Sequence, residues 1–298
     1  MTDLAFELIG VGKTYSHFTL SNVTISLPRG QIMGFIGPNG AGKSTTIRIM
    51  MGLVHQDSGT VRVLGQDMPA GQVAAKKEIG FVSEDMRLYK WATLEWHMRF
   101  LASVYPSWDE NYASTLLKRF DLRPGQQLRR FSHGERIKAM LLLALARRPK
   151  LLLLDEPTTG LDPVARREVL REFMDVLLDE DRTILFSSHN TLDVEQIADQ
   201  ITFIDRGHII DSRDKETFLD SWRRLRLEVP SGVELPKVPG IIDVSRSGQI
   251  AIATANRYEP SISGAFENAG AVVRSVDNMT LEEIFVANVE HNREGAGA

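Results

Sequence analysis

The sequence predicts an α/β protein whose mostly parallel sheet is interrupted by a helical insertion and followed by a smaller α/β domain. Three observations predict it. Short apolar runs at 32–36, 151–154, 183–187 and 201–204 alternate with helix-like stretches, as strands alternate with helices in a parallel sheet. From about 85 to 149 strand patterns vanish, and helical periodicity takes over at 93–104, 109–120 and 133–147. Near 223–240, Pro230, Ser231, Gly232, Pro236, Pro239 and Gly240 crowd together, and a second set of alternating segments follows. The expected domains are therefore 1–222, containing the helical insertion at 85–149, and 223–298.

Residues 4–9 and 23–27 alternate apolar and polar and read as half-exposed strands. Ile32–Ile36 reads as a buried strand, Thr45–Met51 as a helix that stops at Gly52, and 60–64 and 79–82 as further strands. Asp205-Arg206-Gly207 reads as a turn into a strand at 208–210. Beyond 222, strands at 225–229, 241–245, 249–254 and 271–276 surround a helix at 258–269, and a last helix runs from 280 to about 291.

With 298 residues the chain can bury a real core without staples. It has no cysteine, which excludes a disulfide scaffold, a thiolate zinc site and a cysteine nucleophile, and suits a reducing cytosol. The net charge is −4 with acids and bases mixed, so no nucleic-acid footprint is expected. Met1-Thr2-Asp3-Leu4 lacks the layout of a signal peptide. The most apolar stretches, Met140–Ala146 and Leu151–Leu154, fall far short of the ~20 residues that span a bilayer. Any membrane role is expected to run through a partner.

Gly37-Pro38-Asn39-Gly40-Ala41-Gly42-Lys43-Ser44 fits G-x-x-x-x-G-K-[ST], the P-loop, between a strand and a helix. Glycines let the backbone wrap a phosphate with its N–H groups, and the following helix adds its positive end. Lys43 supplies a full charge for the terminal phosphates, and Ser44 offers a hydroxyl to Mg²⁺. Leu151–Leu154 ends in Asp155 and Glu156, at the strand edge where ligands gather in a parallel sheet. Asp155 suits the magnesium shell and Glu156 the attacking water. His189, after the strand at 183–188, emerges at the same edge and can hydrogen-bond a γ-phosphate. Phe131-Ser132-His133-Gly134-Glu135 opens an amphipathic helix with a capping box, and the free N–H groups beside Ser132 also make an anion site.

In that order, with Thr159-Gly160-Leu161-Asp162, these motifs resemble the ATP-binding cassette (ABC) ATPases over about residues 4–222. The resemblance implies a P-loop NTPase (RecA-like) fold with antiparallel N-terminal strands, binding ATP and Mg²⁺. It implies a dimer, of identical or paired cassettes, that sandwiches two ATP head to tail and acts through integral membrane permease subunits. The site would then lie in the cytoplasm, peripheral to the inner membrane face. By the same resemblance Tyr15, with Val23 beside it, stacks on adenine, and Gly37 to Thr45 hold the phosphates. Ser132 and Gly134 contact the opposite subunit's ATP, and Asp162 links the two sites. Asp155 associates with magnesium, Glu156 is the base, and His189 senses the γ-phosphate.

The chain departs from the family pattern in two places. Glu84 stands where glutamine is usual as a magnesium ligand, and Phe131-Ser132-His133-Gly134-Glu135 stands where Leu-Ser-Gly-Gly-Gln is usual. That second change, with Met279–Phe285, resembles exporter-type cassettes that carry a short C-terminal extension. The alternatives are a soluble ATPase of the same family acting on ribosomes or DNA, a regulatory module that holds ATP without hydrolysing it, and a different P-loop enzyme such as a kinase. The aromatics Tyr89, Trp91 and Trp96, with Leu88, are expected mostly in the core of the helical insertion, one or two of them lining a permease groove.

Overall fold

The computed structural model describes residues 3–176 and 182–295. The chain packs as two compact units, Met1–Ser212 and Arg213–Ala298. The first contains β1 (Leu4–Tyr15), β2 (Phe18–Pro28), β3 (Ile32–Ile36), α1 (Lys43–Met50), β4 (Ser58–Val63), β5 (Gln66–Asp67), α2 (Gln72–Glu78) and β6 (Ile79–Ser83). It continues with α3 (Leu94–Val104), α4 (Glu110–Arg119), a short 3₁₀ turn (Leu128–Arg130), α5 (His133–Leu145), β7 (Leu151–Asp155) and α6 (Pro163–Val176). β8 (Thr183–Ser188), α7 (Thr191–Ile197), β9 (Gln200–Asp205) and β10 (His208–Asp214) follow.

Two sheets share this unit. One has the order β2-β1-β4-β5 and is antiparallel throughout. The other has the order β10-β9-β3-β8-β7-β6, and the five strands from β9 to β6 are parallel. Every residue of β3, β7 and β8 is buried. Strands covered on both faces are continuous apolar runs, which is why they were legible without alternation. The register places Ile36 beside Ser188 and Asp155 beside Ser187. The carboxyl ends of β3, β7 and β8 therefore come level, and the three loops that leave them converge.

The insertion is helical because its helices are capped; α3 and α4 bury one face, whereas α5, expected to be amphipathic, is packed on all sides and buries every residue from Ala139 to Leu145. Thr93 accepts from the Trp96 N–H, Asp109 from the Tyr112 N–H, and Ser132 with Glu135 forms the expected capping box. Glu172 of α6, 3% exposed, accepts from the Tyr112 hydroxyl at 2.5 Å and from Arg119 at 2.8 Å, tying α4 to the sheet-bearing part. α2 and β5 escape the sequence reading. α2 has no side-chain cap and buries one residue, Ala75, so it carries no periodic signal.

The aromatics of the insertion correct an expectation. Tyr89, Trp91 and Trp96 are exposed at 70%, 71% and 40%, and Leu88 is half-buried. α3 buries Leu94, His97 and Met98, and the 3.6-residue period turns Trp96 and Phe100 to the other side, where their rings stack. Val23, read as a neighbour of the adenine, is fully buried in the core with Leu20 and Leu8.

The second unit contains α8 (Lys215–Ser221), β11 (Arg223–Glu228), β12 (Ile241–Ser247), β13 (Ile250–Ala255), α9 (Pro260–Asn268), β14 (Val272–Asn278) and α10 (Leu281–Gly295). Its antiparallel sheet has the order β12-β13-β11-β14. Leu225, Leu227, Ala251 and Ala253 on one face pack with Ile262 and Phe266 of α9. α8 belongs to this unit, so the compact units divide ten residues before Trp222. Among the described residues no helix is long and apolar enough to cross a membrane.

Candidate active site

The loop Gly37, Pro38, Asn39, Gly40, Ala41, Gly42 carries the chain from β3 into α1. Gly42 holds φ at 115°, and a Cβ there would lie 2.9 Å from the side chains of Phe18 and Leu20, so the position accepts only glycine without strain. The loop opens onto a cleft of about 360 Å³ lined by Pro38 to Thr45 together with Phe18, Glu84 and Glu156. No side chain caps the first N–H groups of α1, which leaves them available to an anion.

Lys43 is 5% exposed. Its Nζ donates to the carbonyls of Gly37 at 2.7 Å and Pro38 at 3.3 Å, and stands 3.1 Å from Glu156 Oε1. That last contact is an ion pair without the alignment of a directed hydrogen bond. Glu156 is the first residue beyond β7 and has φ at 54°, a left-handed conformation that costs a non-glycine residue roughly 1–2 kcal/mol. Its backbone N–H donates to Ser187 Oγ at 3.0 Å, and Ser187 donates to Asp155 Oδ1 at 2.8 Å. One buried hydroxyl thus holds the turn that keeps Asp155 inside and sends Glu156 back toward Lys43.

Glu156 Oε2 accepts from Thr159 Oγ1 at 3.0 Å and meets His189 Nδ1 at 2.8 Å. Burial pushes the Glu156 pKa up, but the charge and contact of Lys43 and the bonds from His189 and Thr159 outweigh it, leaving the carboxyl below its ordinary value. A carboxylate, a lysine and an imidazole therefore meet at the ends of β3, β7 and β8. The same loop region is anchored from behind by Asp193, 3% exposed, which accepts from Thr158 at 2.7 Å and from Arg166 at 2.5 Å.

Ser44, Glu84 and Asp155 supply hard oxygen donors of the kind Mg²⁺ takes, and Asp155 commits one oxygen to Ser187. Among the described residues no three His, Cys, Asp or Glu side chains form a ready metal cage. The donor set fits an ion that keeps waters and arrives with phosphate oxygens.

Other expected residues stand elsewhere. Tyr15 is 43% exposed at the end of β1, with Lys13 Nζ 5.8 Å from its ring centre, and it is Phe18 of the same hairpin that lines the cleft. Ser132 and Gly134 head α5 and do not line this chain's cleft. Asp162 caps α6, accepting from Val164 at 2.9 Å and Ala165 at 3.0 Å, and those backbone bonds lower its pKa. Sequence reasoning missed Phe18 and Ser187, and it named Thr159 only within the 159–162 motif, with no role. Phe18 had a signal as the second aromatic of the hairpin; the Ser187 hydroxyl had none.

The sequence profile of the family described as ABC transporter matches residues 20–159. The lantibiotic transport ATP-binding protein SrtF of Streptococcus pyogenes is 37% identical over 203 residues, 66% of this chain and 86% of that protein. The ABC transporter ATP-binding protein YtrB of Bacillus subtilis is 29% identical over 269 residues, 90% of this chain and 92% of that protein. A solved ATP-binding subunit of an ABC transporter superposes with a TM-score of 0.67 at 28% identity, covering 72% of this chain and 92% of its own. A P-loop opposite a strand-end acid pair, a helical insertion headed by a capped serine, and this kinship together establish that the chain belongs to the ABC transporter family, as an ATP-binding subunit with ATPase activity coupled to transport.

Proposed function

We propose that this subunit binds Mg-ATP under the 37–45 loop and hydrolyses it as one of two cassettes, identical or paired, that close head to tail and drive export through separate permease subunits. The observation that carries the reading is the meeting of Lys43, Glu156 and His189, with Glu156 within 3.1 Å of both partners. In this reading Gly37, Pro38, Asn39, Gly40, Ala41, Gly42, Lys43, Ser44 and Thr45 hold the phosphates, and Tyr15 flanks the adenine with Phe18. Ser44, Glu84 and Asp155 hold the Mg²⁺, which would neutralise phosphate charge.

Glu156 is the base. A γ-phosphate draws Lys43 to itself, and the buried carboxylate, relieved of its counter-charge, becomes more basic when water must be deprotonated. His189 orients the carboxylate and the phosphate. Ser132 and Gly134 of one subunit close on ATP held by the other, with Asp162 relaying between sites.

Residues 1–222 act as the nucleotide-binding domain and 223–298 as a C-terminal extension. The protein works in the cytoplasm, peripheral to the inner membrane face. Glu84 also lines a second groove of about 490 Å³ together with Met86, Leu88, Leu128, Ile137 and Met140, and in this reading the permease seats there beside the nucleotide. The altered serine motif and the closing Met279–Phe285 segment favour export over import.

The test is phosphate release by the full chain reconstituted with its membrane subunits, beside Lys43→Ala. Release that depends on Lys43 and on the permease supports the reading; equal release by wild type and Lys43→Ala overturns it.

A further inference from the structure

The head of α5 touches the loop that orients the base of its own chain. His133 Nε2 lies 3.0 Å from the Thr159 carbonyl oxygen, and Thr159 Oγ1 lies 3.0 Å from Glu156 Oε2. The carbonyl only accepts, so the bond requires a proton on Nε2. Gly160 holds φ at 72°, and a Cβ there would come within 2.9 Å of His133 Nε2. The turn is therefore shaped around the imidazole. Gly134 lies on the same side: a Cβ added there would meet Leu161 Cδ2 at 3.4 Å.

We propose that His133 is a positioning residue for hydrolysis: it fixes the Thr159–Gly160 turn, and Thr159 in turn holds the Glu156 carboxylate. The inference rests on Glu156 being the base. It follows from geometry that a glycine at 133 has no side chain to reproduce, so this chain ties the serine-bearing helix start to its own base by a bond that a glycine lacks. The direction of the effect also follows. Without the imidazole, the Thr159 hydroxyl is free to leave Glu156, and the carboxylate then samples orientations away from the water it must deprotonate. Binding of ATP by a single chain, which uses the 37–45 loop with Tyr15 and Phe18, does not pass through this bond.

The test compares wild type with His133→Phe, which keeps a ring but has no donor, and His133→Gln, whose amide restores one. Phosphate release is measured with the full chain and its permease subunits, and ATP affinity by fluorescence titration. We expect kcat to fall about three- to tenfold in His133→Phe, as loss of one hydrogen bond implies, with the affinity of the single chain for ATP unchanged. His133→Gln should recover at least half of the loss, which a space-filling role would not produce. In the wild type, ¹⁵N spectra should show the His133 proton on Nε2. Wild-type kcat in His133→Phe, equal losses in both variants, or a proton on Nδ1 alone overturns the proposal. Glu156→Gln in the same assay separates the two claims. If it loses turnover while His133→Phe does not, only the His133 role fails; if it turns over normally, the base assignment itself fails.

Discussion

Glu156→Gln should move the stability of the nucleotide-free protein and its affinity for ATP in opposite directions. The amide keeps the shape and the contacts to His189 and Thr159, but removes the charge opposite Lys43. At 3.1 Å a unit pair is worth about 5 kcal/mol gross at an effective dielectric of ~20. The side chains are only 6% and 14% exposed, so salt screens the pair weakly and desolvation takes back much of the gross term. Lys43 also retains its two carbonyl partners after the change. A net loss of about 2 kcal/mol is the reasonable magnitude.

For a unit of this size that loss lowers the melting temperature of the nucleotide-free protein by about 4–8 °C. A bound triphosphate supplies the missing charge, so up to about 2 kcal/mol returns on binding, and ATP should bind as much as about 30-fold tighter. The assays are thermal unfolding without nucleotide and calorimetric titration with a non-hydrolysable analogue, in parallel with wild type. An unchanged melting temperature with unchanged or weaker binding would refute the claim that Glu156 occupies the lysine in the absence of nucleotide.

Three further outcomes are expected. The Glu156 pKa is depressed in the folded protein, so its contribution is complete above the ordinary glutamate value of ~4.3 and is lost as the pH falls through the depressed value. The gap in urea midpoint between wild type and Glu156→Gln should therefore be full at neutral pH and close in acid; a gap that widens in acid contradicts the assignment. Glu172→Ala strips a buried carboxylate from Tyr112 and Arg119 and should cost about 2–3 kcal/mol, read from urea unfolding, because Arg119 is half exposed and keeps Asp175. Ser132→Arg should leave ATP binding by a single chain intact while abolishing turnover; if turnover survives, Ser132 does not face a partner's nucleotide.

Much of the site was legible from residues that act through local chemistry. The 37–44 glycine pattern, the acids after 151–154 and the histidine after 183–188 each sit where a buried strand ends, and an apolar run is readable without knowing its neighbours. The cap at Ser132 was legible for the same reason, since Glu135 answers it within one helical turn. Tyr15 shows the limit. Two aromatics sit in one hairpin, and only the hairpin's twist over the loop decides that Phe18 lines the cleft. The insertion's aromatics show it again. Their neighbours suggested a core, but the helical phase set by Leu94, His97 and Met98 turned Trp96 outward.

Local patterns alone specify most of the elements, α2 and β5 apart, and the chemical inventory: a phosphate loop, a strand-end acid pair, a capped helix start. Their meeting belongs to tertiary structure. Lys43, Glu156 and His189 lie far apart along the chain, and only the register of β3, β7 and β8 brings them level. The left-handed turn at Glu156, held by Ser187, then decides which acid faces the lysine and which stays inside. Periodicity reports what one segment does within a few residues; a bond between residues dozens of positions apart depends on how whole segments pack, and no local pattern encodes it.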